Sequence, residues 1–183
     1  MAPAIDFQPI TEGDVPMLWE WYQRPHVARW FAPWTPATYQ GFVEETGRMI
    51  TGVDPQRGFL VVVDGVPAGY IQGYRLDQEP EMAGPIALGE DAVAADVFLA
   101  EAAGTGRGVG PRVVGLFYLR MMDETGLDVG IIDPEVENAR AIRAYEKAGF
   151  SFLREVDTGG RMNERIMLAR RADLEAALAR AWG

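Results

Sequence analysis

Apolar residues recur along this chain at two periods, and the switches between them mark out an α/β protein. Phe7–Ile10 reads as a short opening strand. Val15, Leu18, Trp19 and Tyr22 then fall at helical spacing behind Thr11 or Asp14. Either can cap a helix that runs to about Gln23, where Arg24-Pro25 stops it. Thr35 and Pro36 begin a second helix reaching about Ile50. Between the two helices, His26–Trp34 reads as a loop-like segment carrying Trp30, Phe31 and Trp34. In Gly58–Arg75 two β-rich runs flank Asp64-Gly65, a hairpin signal, and Tyr70, Gln72 and Tyr74 share the strand face opposite Ile71. Leu76–Asp91 shows little periodicity, two prolines and five acids, and reads as a long acidic loop.

The second half repeats strand and helix. Ala94–Ala100 predicts a strand, Glu101–Gly110 a glycine-rich turn, and Pro111–Glu124 a helix with Val113, Leu116, Phe117 and Met121 on one stripe. Val129–Ile132 reads as a buried strand. The helix opening at Asn138 ends at Gly149 and places Asn138, Ala141, Ile142 and Tyr145 on one face, the first and last about 10 Å apart. Phe150–Val156 and Arg161–Arg170 form a strand pair across Thr158–Gly160, and Ala172–Trp182 a closing helix. No repeat or linker interrupts residues 1–183, so the expectation is one domain.

Composition narrows the chemistry. The absence of Cys removes disulfides and thiol catalysis, and a single His makes a structural zinc site implausible, so no metal is expected. No apolar run reaches the roughly 20 residues of a membrane helix, and no secretory signal opens the chain, which points to the cytoplasm. A net charge of −10 disfavours nucleic acid and either serves solubility or attracts a cationic substrate.

Particular residues then stand out. Gly104, Gly106, Gly108 and Gly110 lack Cβ at alternate positions between a strand and a helix, so backbone N–H groups can approach a phosphate at the helix N-terminus. Asp96 interrupts an apolar strand on the face of Phe98; it marks a site or an edge strand facing water. Trp30 and Trp34 suit either a binding surface or a cap on the core. His26 reads as a hydrogen-bonded structural residue rather than a base.

Thr105-Gly-Arg-Gly-Val-Gly110 and Asn138-Ala-Arg-Ala-Ile-Arg-Ala-Tyr-Glu-Lys-Ala-Gly-Phe150 resemble the two halves of the GNAT acyl-CoA-binding signature, with Thr105 where that family usually has Gln or Arg. Leu18-Trp-Glu-Trp21, His26–Trp30, Val66–Tyr74, Asp96 and Ile132–Arg143 extend the likeness to aminoglycoside 6′-N-acetyltransferases. The resemblance implies a GNAT acyltransferase fold, a central mixed, mostly antiparallel sheet with flanking helices. It also implies acetyl-CoA, bound by Phe98, Leu99, Gly106, Arg107, Gly108, Val109, Gly110, Asn138 and Tyr145. In that family the residues matching Asp96 and Asp133 bind the amine-bearing part of the drug, and the one matching Tyr145 faces the thioester sulfur.

Direct acetyl transfer to an amine follows, since no Cys can carry the acyl group. Asp96 positions the ammonium first and serves as base second. Asp133 shares that task or only caps the following helix. Tyr145 protonates the departing thiolate or is an ordinary core tyrosine. Trp30, Trp34, Gln72 and Tyr74, with Glu79 and Glu81 of the acidic loop, would form the acceptor site. The expected partner is a small cationic aminoglycoside bound by a monomer or homodimer. Acylation of another amine such as a siderophore hydroxylysine, or a non-catalytic acyl-CoA-binding module, remain the competing readings; lysine acylases of that kind place a His near the fourth strand, and this chain's only His is His26.

Overall fold

The computed structural model describes residues 2–101, 108–157 and 163–182. Its elements in chain order are β1 (Ile5–Pro9), α1 (Val15–Tyr22), α2 (Pro25–Phe31), α3 (Tyr39–Ile50), β2 (Arg57–Val63), β3 (Val66–Arg75), α4 (Pro80–Ile86) and β4 (Val93–Leu99). They continue with α5 (Val109–Thr125), β5 (Val129–Ile132), α6 (Ala139–Ala148), β6 (Ser151–Asp157), β7 (Asn163–Arg170) and α7 (Arg171–Trp182). Hydrogen bonding orders the strands β1-β2-β3-β4-β5-β7-β6. β1 with β2, β5 with β7 and β6 with β7 are antiparallel, whereas β4 and β5 are parallel. This is the expected mixed, mostly antiparallel GNAT-type sheet. β4 lies between β3 and β5, so the edge-strand reading of Asp96 fails.

Contacts divide the chain into two compact units. The first holds Pro3–Gln72 and the stretch beginning at Val97. Its β2–β3 hairpin turns through Asp64 and Gly65, at φ of 51° and 81°, the left-handed pair that a two-residue turn matching strand twist requires. Thr11 donates its N–H and hydroxyl to the Asp14 carboxylate at 2.8 and 2.7 Å, tying one 3-10 turn to the start of α1. His26–Trp34 is not the expected loop: α2 starts at Pro25 and a 3-10 turn spans Ala32–Trp34. Pro25 ends one helix and opens the next, because its φ suits the first helical position, where no N–H is needed. Tyr22, Phe31, Phe42, Tyr70 and Phe98 then pack as an aromatic core, with Tyr22 at 4.9 Å from Phe98 and 5.3 Å from Phe42 between ring centroids.

The second unit holds Gly73–Asp96 and the stretch beginning at Gly108. Leu76–Asp91 departs from the expected loop: a 3-10 turn at Leu76–Gln78 leads into α4. Pro80 at the first turn starts that helix, and Pro85 within it hides the pattern from sequence. Burial decides the matter, since Ile86 and Leu76 are buried with Tyr74, Ala94, Val129, Ile131 and Ile166, and Met82 and Ala83 pack against them. α5 is buried on a wider face than its predicted stripe, with Val114, Tyr118 and Met122 buried and Leu116 only half-buried. It lies close on the strands: a Cβ at Gly73 or Gly130 would come within 2.8 Å of Phe117 or 2.5 Å of Tyr118. The β6–β7 pair forms as expected, and its turn at Thr158–Gly160 lies outside the described residues. Among the described residues no helix is long and apolar enough to cross a membrane.

Candidate active site

Strand register gathers the acids. In β4–β5, Ala94 stands beside Ile131; in β5–β7, Ile131 faces Leu168, and an antiparallel bridge carries the same register on to Glu135 opposite Glu164. Side chains alternate along each strand, so Asp96, Asp133, Glu135 and Glu164 all project from the face that carries Ile131 and Ile166. Gly130, one residue out of phase, meets Tyr118 of α5 on the opposite face.

Four carboxylates on one face perturb one another. Burial raises the Asp133 pKa well above the usual carboxylate range, and the charges of Asp96 and Glu164 push it further. Glu164 is 5% exposed, and burial, then Asp96 and Glu135, raise it to about 7. Among the described residues, no arginine or lysine is among the groups that shift either acid.

Three tyrosines border these acids. Tyr74 is raised by burial first and then by Asp96, Asp133, Tyr118 and Glu79. Tyr118 is raised by burial, then Asp133, Tyr145 and Asp96, and donates its hydroxyl to the Ile131 carbonyl. Tyr145, on α6, is raised by burial and then by Asp133 and Asp96, and its ring meets Phe150 edge-on at 6.4 Å. All three therefore stay neutral O–H groups at physiological pH.

Asp96, Asp133, Tyr145 and Tyr74 thus come together in the second unit, with Glu79 near enough to Tyr74 to shift it. Asn138 caps α6, accepting the Ala141 N–H at 3.1 Å. Gln72 belongs to the first unit, where its carbonyl accepts from Tyr70 and its amide donates to Gln56, at 2.9 and 2.8 Å. Trp30 is half-buried beneath the Arg29 guanidinium, and Trp34 is 43% exposed. Phe98 joins the aromatic core, and the Leu99 carbonyl pairs with His26 Nε2 at 3.1 Å, the structural role expected of His26. Glu81 lies on α4, and Gly106 and Arg107 lie outside the described residues.

The sequence reading missed Tyr118, Glu135 and Glu164. Tyr118 fell outside the predicted stripe of its helix. Glu164 sits in the polar run Asn163-Glu-Arg165 beside a turn, which reads as surface. Its register with Glu135 was the only signal, and pairing across strands is not visible in one sequence.

The residues ahead of α5 fit a phosphate. Gly108 takes φ +74° and has no atom within 4 Å of where a Cβ would stand, as is true of Gly110. No side chain caps this 17-residue helix, and its first turn holds no acid. Free N–H groups at Val109 and Gly110 and the positive end of the helix dipole therefore suit an anion.

Comparison with known proteins gives the family and the fold. The family model described as "Acetyltransferase (GNAT) domain" matches residues 11–158. An aminoglycoside N(6′)-acetyltransferase type 1 from Klebsiella pneumoniae is 27% identical over 152 residues, 77% of this chain and 71% of that protein. The crystal structure of aminoglycoside acetyltransferase AAC(6′)-Ib in complex with coenzyme A and kanamycin aligns with a TM-score of 0.78 at 25% identity, covering 98% of this chain and all of that one. An uncharacterized protein from Bacillus halodurans shares the fold at a TM-score of 0.84 and 19% identity, covering 97% of this chain and 89% of its own.

Proposed function

The chain belongs to the GNAT acetyltransferase family and is an acetyl-CoA-dependent N-acetyltransferase; from that premise we propose that it acetylates the 6′ primary amine of aminoglycosides and so confers resistance. Residues 1–183 act as one catalytic domain, in the cytoplasm. The observation that carries the substrate class is the face bearing Asp96, Asp133, Glu135 and Glu164, where no basic group among the described residues offsets the charge on Asp133 or Glu164. Buried acids of one sign are costly unless protonated or met by a cation. A polycationic sugar supplies several. The net charge of −10 draws such a substrate in, and the drug complexes of similar proteins support the same class.

Each residue then has a task. The N–H groups of Gly108, Val109 and Gly110 hold the pyrophosphate, Arg107 adds charge, and Asn138 borders the pantetheine. When bound, acetyl-CoA supplies an acetyl group activated as a thioester. Asp96 takes the ammonium of the acceptor as a charge-assisted hydrogen bond and aims its nitrogen, and Asp133 shares the cation. An amine attacks only after losing its proton, so a carboxylate of this cluster must take it. Tyr145, held neutral by burial and two nearby acids, keeps its proton on Oη until the C–S bond breaks, gives it to the departing sulfur, and regains one from the second N–H that the nitrogen loses as the amide forms. Tyr74 closes the acceptor side beside Asp96.

A thiol-release assay with acetyl-CoA tests this against kanamycin, tobramycin, spermidine and N6-hydroxylysine. The expected outcome is turnover of the aminoglycosides at least tenfold above the others in kcat/KM, with acetylation at the 6′ nitrogen by NMR. Preference for hydroxylysine or spermidine, or no thiol release, overturns it.

A further inference from the structure

Glu164 has no place in the mechanism so far, yet it is the most unusual acid in the chain. Among the described residues it is the one charged side chain with less than 9% of its surface exposed. Its Oε2 is buried and accepts no hydrogen bond from the protein. On one flank it faces Val156 of β6, and on the other Glu135, so a second acid stands directly across the bridge. Opposed like charges on neighbouring strands destabilise a sheet, and a buried acceptor without a partner destabilises it further. Nothing in local packing requires a glutamate there: Ile166, two residues on and on the same face, is fully buried among apolar neighbours. An acid kept at such a position can hold a proton on the orphan oxygen.

We propose that Glu164 is the proton store of the acid cluster, receiving through Asp96 the proton that the acceptor ammonium loses before acetyl transfer. The inference rests on the N-acetyltransferase reading. In the first step the N–H bond of the ammonium breaks, its electron pair stays on nitrogen and an O–H bond forms on Asp96. In the second that O–H breaks and, relayed by the Asp133 carboxyl that the register sets between β4 and β7, one forms on Glu164, leaving Asp96 and Asp133 as they began, Glu164 neutral and the amine ready to attack. The site gains no net charge within itself.

The arrangement also explains why Asp96 alone is a poor base: a carboxylate touching an ammonium is held ionised. Glu164, away from the cation and beside Asp96, Asp133 and Glu135, has a higher proton affinity, set by burial and like charges at about 7. Its other neighbours do not oppose this. Val156, opposite it on β6, carries no charge. Arg165, next on the strand, stacks its guanidinium over Phe152 at 4.8 Å and reaches Glu155 at 3.9 Å. Glu164 acts through Asp96 and is a positioning residue for the proton, not a group that touches substrate.

The test is the pH dependence of kcat/KM for the acceptor, from pH 5.5 to 9 with saturating acetyl-CoA, in the wild-type chain, Glu164→Gln and Glu135→Gln. Wild type should show an acidic limb bending near pH 7. Glu164→Gln should lower kcat/KM at pH 7.5 by tenfold or more and lose that bend, while the KM for acetyl-CoA stays within twofold. Glu135→Gln should move the bend to lower pH, because one charge raising Glu164 is gone; this variant reports through the position of the bend even if Glu164→Gln folds poorly. A wild-type bend that survives Glu164→Gln, a higher acceptor KM with an unaltered pH profile, or a bend that ignores Glu135→Gln overturns the proposal. Whichever amine the enzyme prefers serves as acceptor. A Glu164-dependent bend with spermidine would therefore retire the aminoglycoside reading alone, and aminoglycoside turnover without that bend would retire this inference alone.

Discussion

Two sets of carboxylates in the second unit show how one residue type takes opposite roles. Asp77 and Asp91 lie 2.9 and 2.6 Å from Arg75, Glu90 lies 2.7 Å from Arg170, and Asp123 and Asp128 lie 2.7 and 2.8 Å from Arg171. These acids are near water, matched by guanidinium forks, and finished with their chemistry. Asp133 and Glu164 are gathered with Asp96 on a sheet face where burial and mutual repulsion hold their protons more tightly. The first set spends its charge within the protein. On the proposed function, the second keeps it for a cation that comes from outside.

Breaking the second set at its centre should have the largest effect. Asp96→Asn should lower kcat/KM for an aminoglycoside by roughly 10²–10⁴-fold, the range for loss of a positioned acid–base group, while acetyl-CoA binding is unaffected. Turnover within threefold of wild type, read by thiol release, would remove Asp96 from the mechanism.

Stability comes next, and its sign separates the two sets. The folded chain binds the Glu164 proton more tightly than the unfolded chain, with a pKa of about 7 against 4.5. Between those values the native state holds the extra proton, so stability falls as pH rises from about 4.5 to 7 and then levels. At about 1.4 kcal/mol per unit, the penalty above pH 7 has a ceiling of roughly 3 kcal/mol. Glu164→Gln should abolish that part of the decline and melt at a higher temperature than wild type at pH 8. Equal slopes of melting temperature against pH would show that Glu164 titrates normally.

Neutralising a matched acid should have the smallest effect, in the opposite direction. Glu90 and Arg170 are about half exposed, and Glu90→Gln should cost less than about 1 kcal/mol by chemical denaturation, less still at high salt, with turnover unchanged. A larger loss would mean that Glu90 does more than pair with Arg170.

Much of the site was visible in the chain itself. Asp96 interrupts an apolar strand, and that defect needs no partner to be noticed. Asn138 and Tyr145 recur at helical spacing before Gly149, and the glycines precede a helix; these are local regularities with local causes. The hairpin at Asp64-Gly65 was legible for the same reason, since left-handed φ values restrict which residues can stand there. Where the reading failed, packing had outweighed local signals. Pro25 and Pro85 suggested breaks, yet α2 and α4 formed because Val27 and Ile86 bury their side chains.

What the sequence determined by itself was most of the strands and helices and the placing of single acids within apolar runs, because each depends on neighbours a few residues away. Only the tertiary structure decided which acids meet. Glu135 and Glu164 are far apart in the chain, and it is the β5–β7 register, continued by one bridge, that sets them opposite each other and on the face of Asp96. A shift of one residue in that register would turn Glu164 to the other face, which is why its chemistry belongs to the sheet rather than to the strand that carries it.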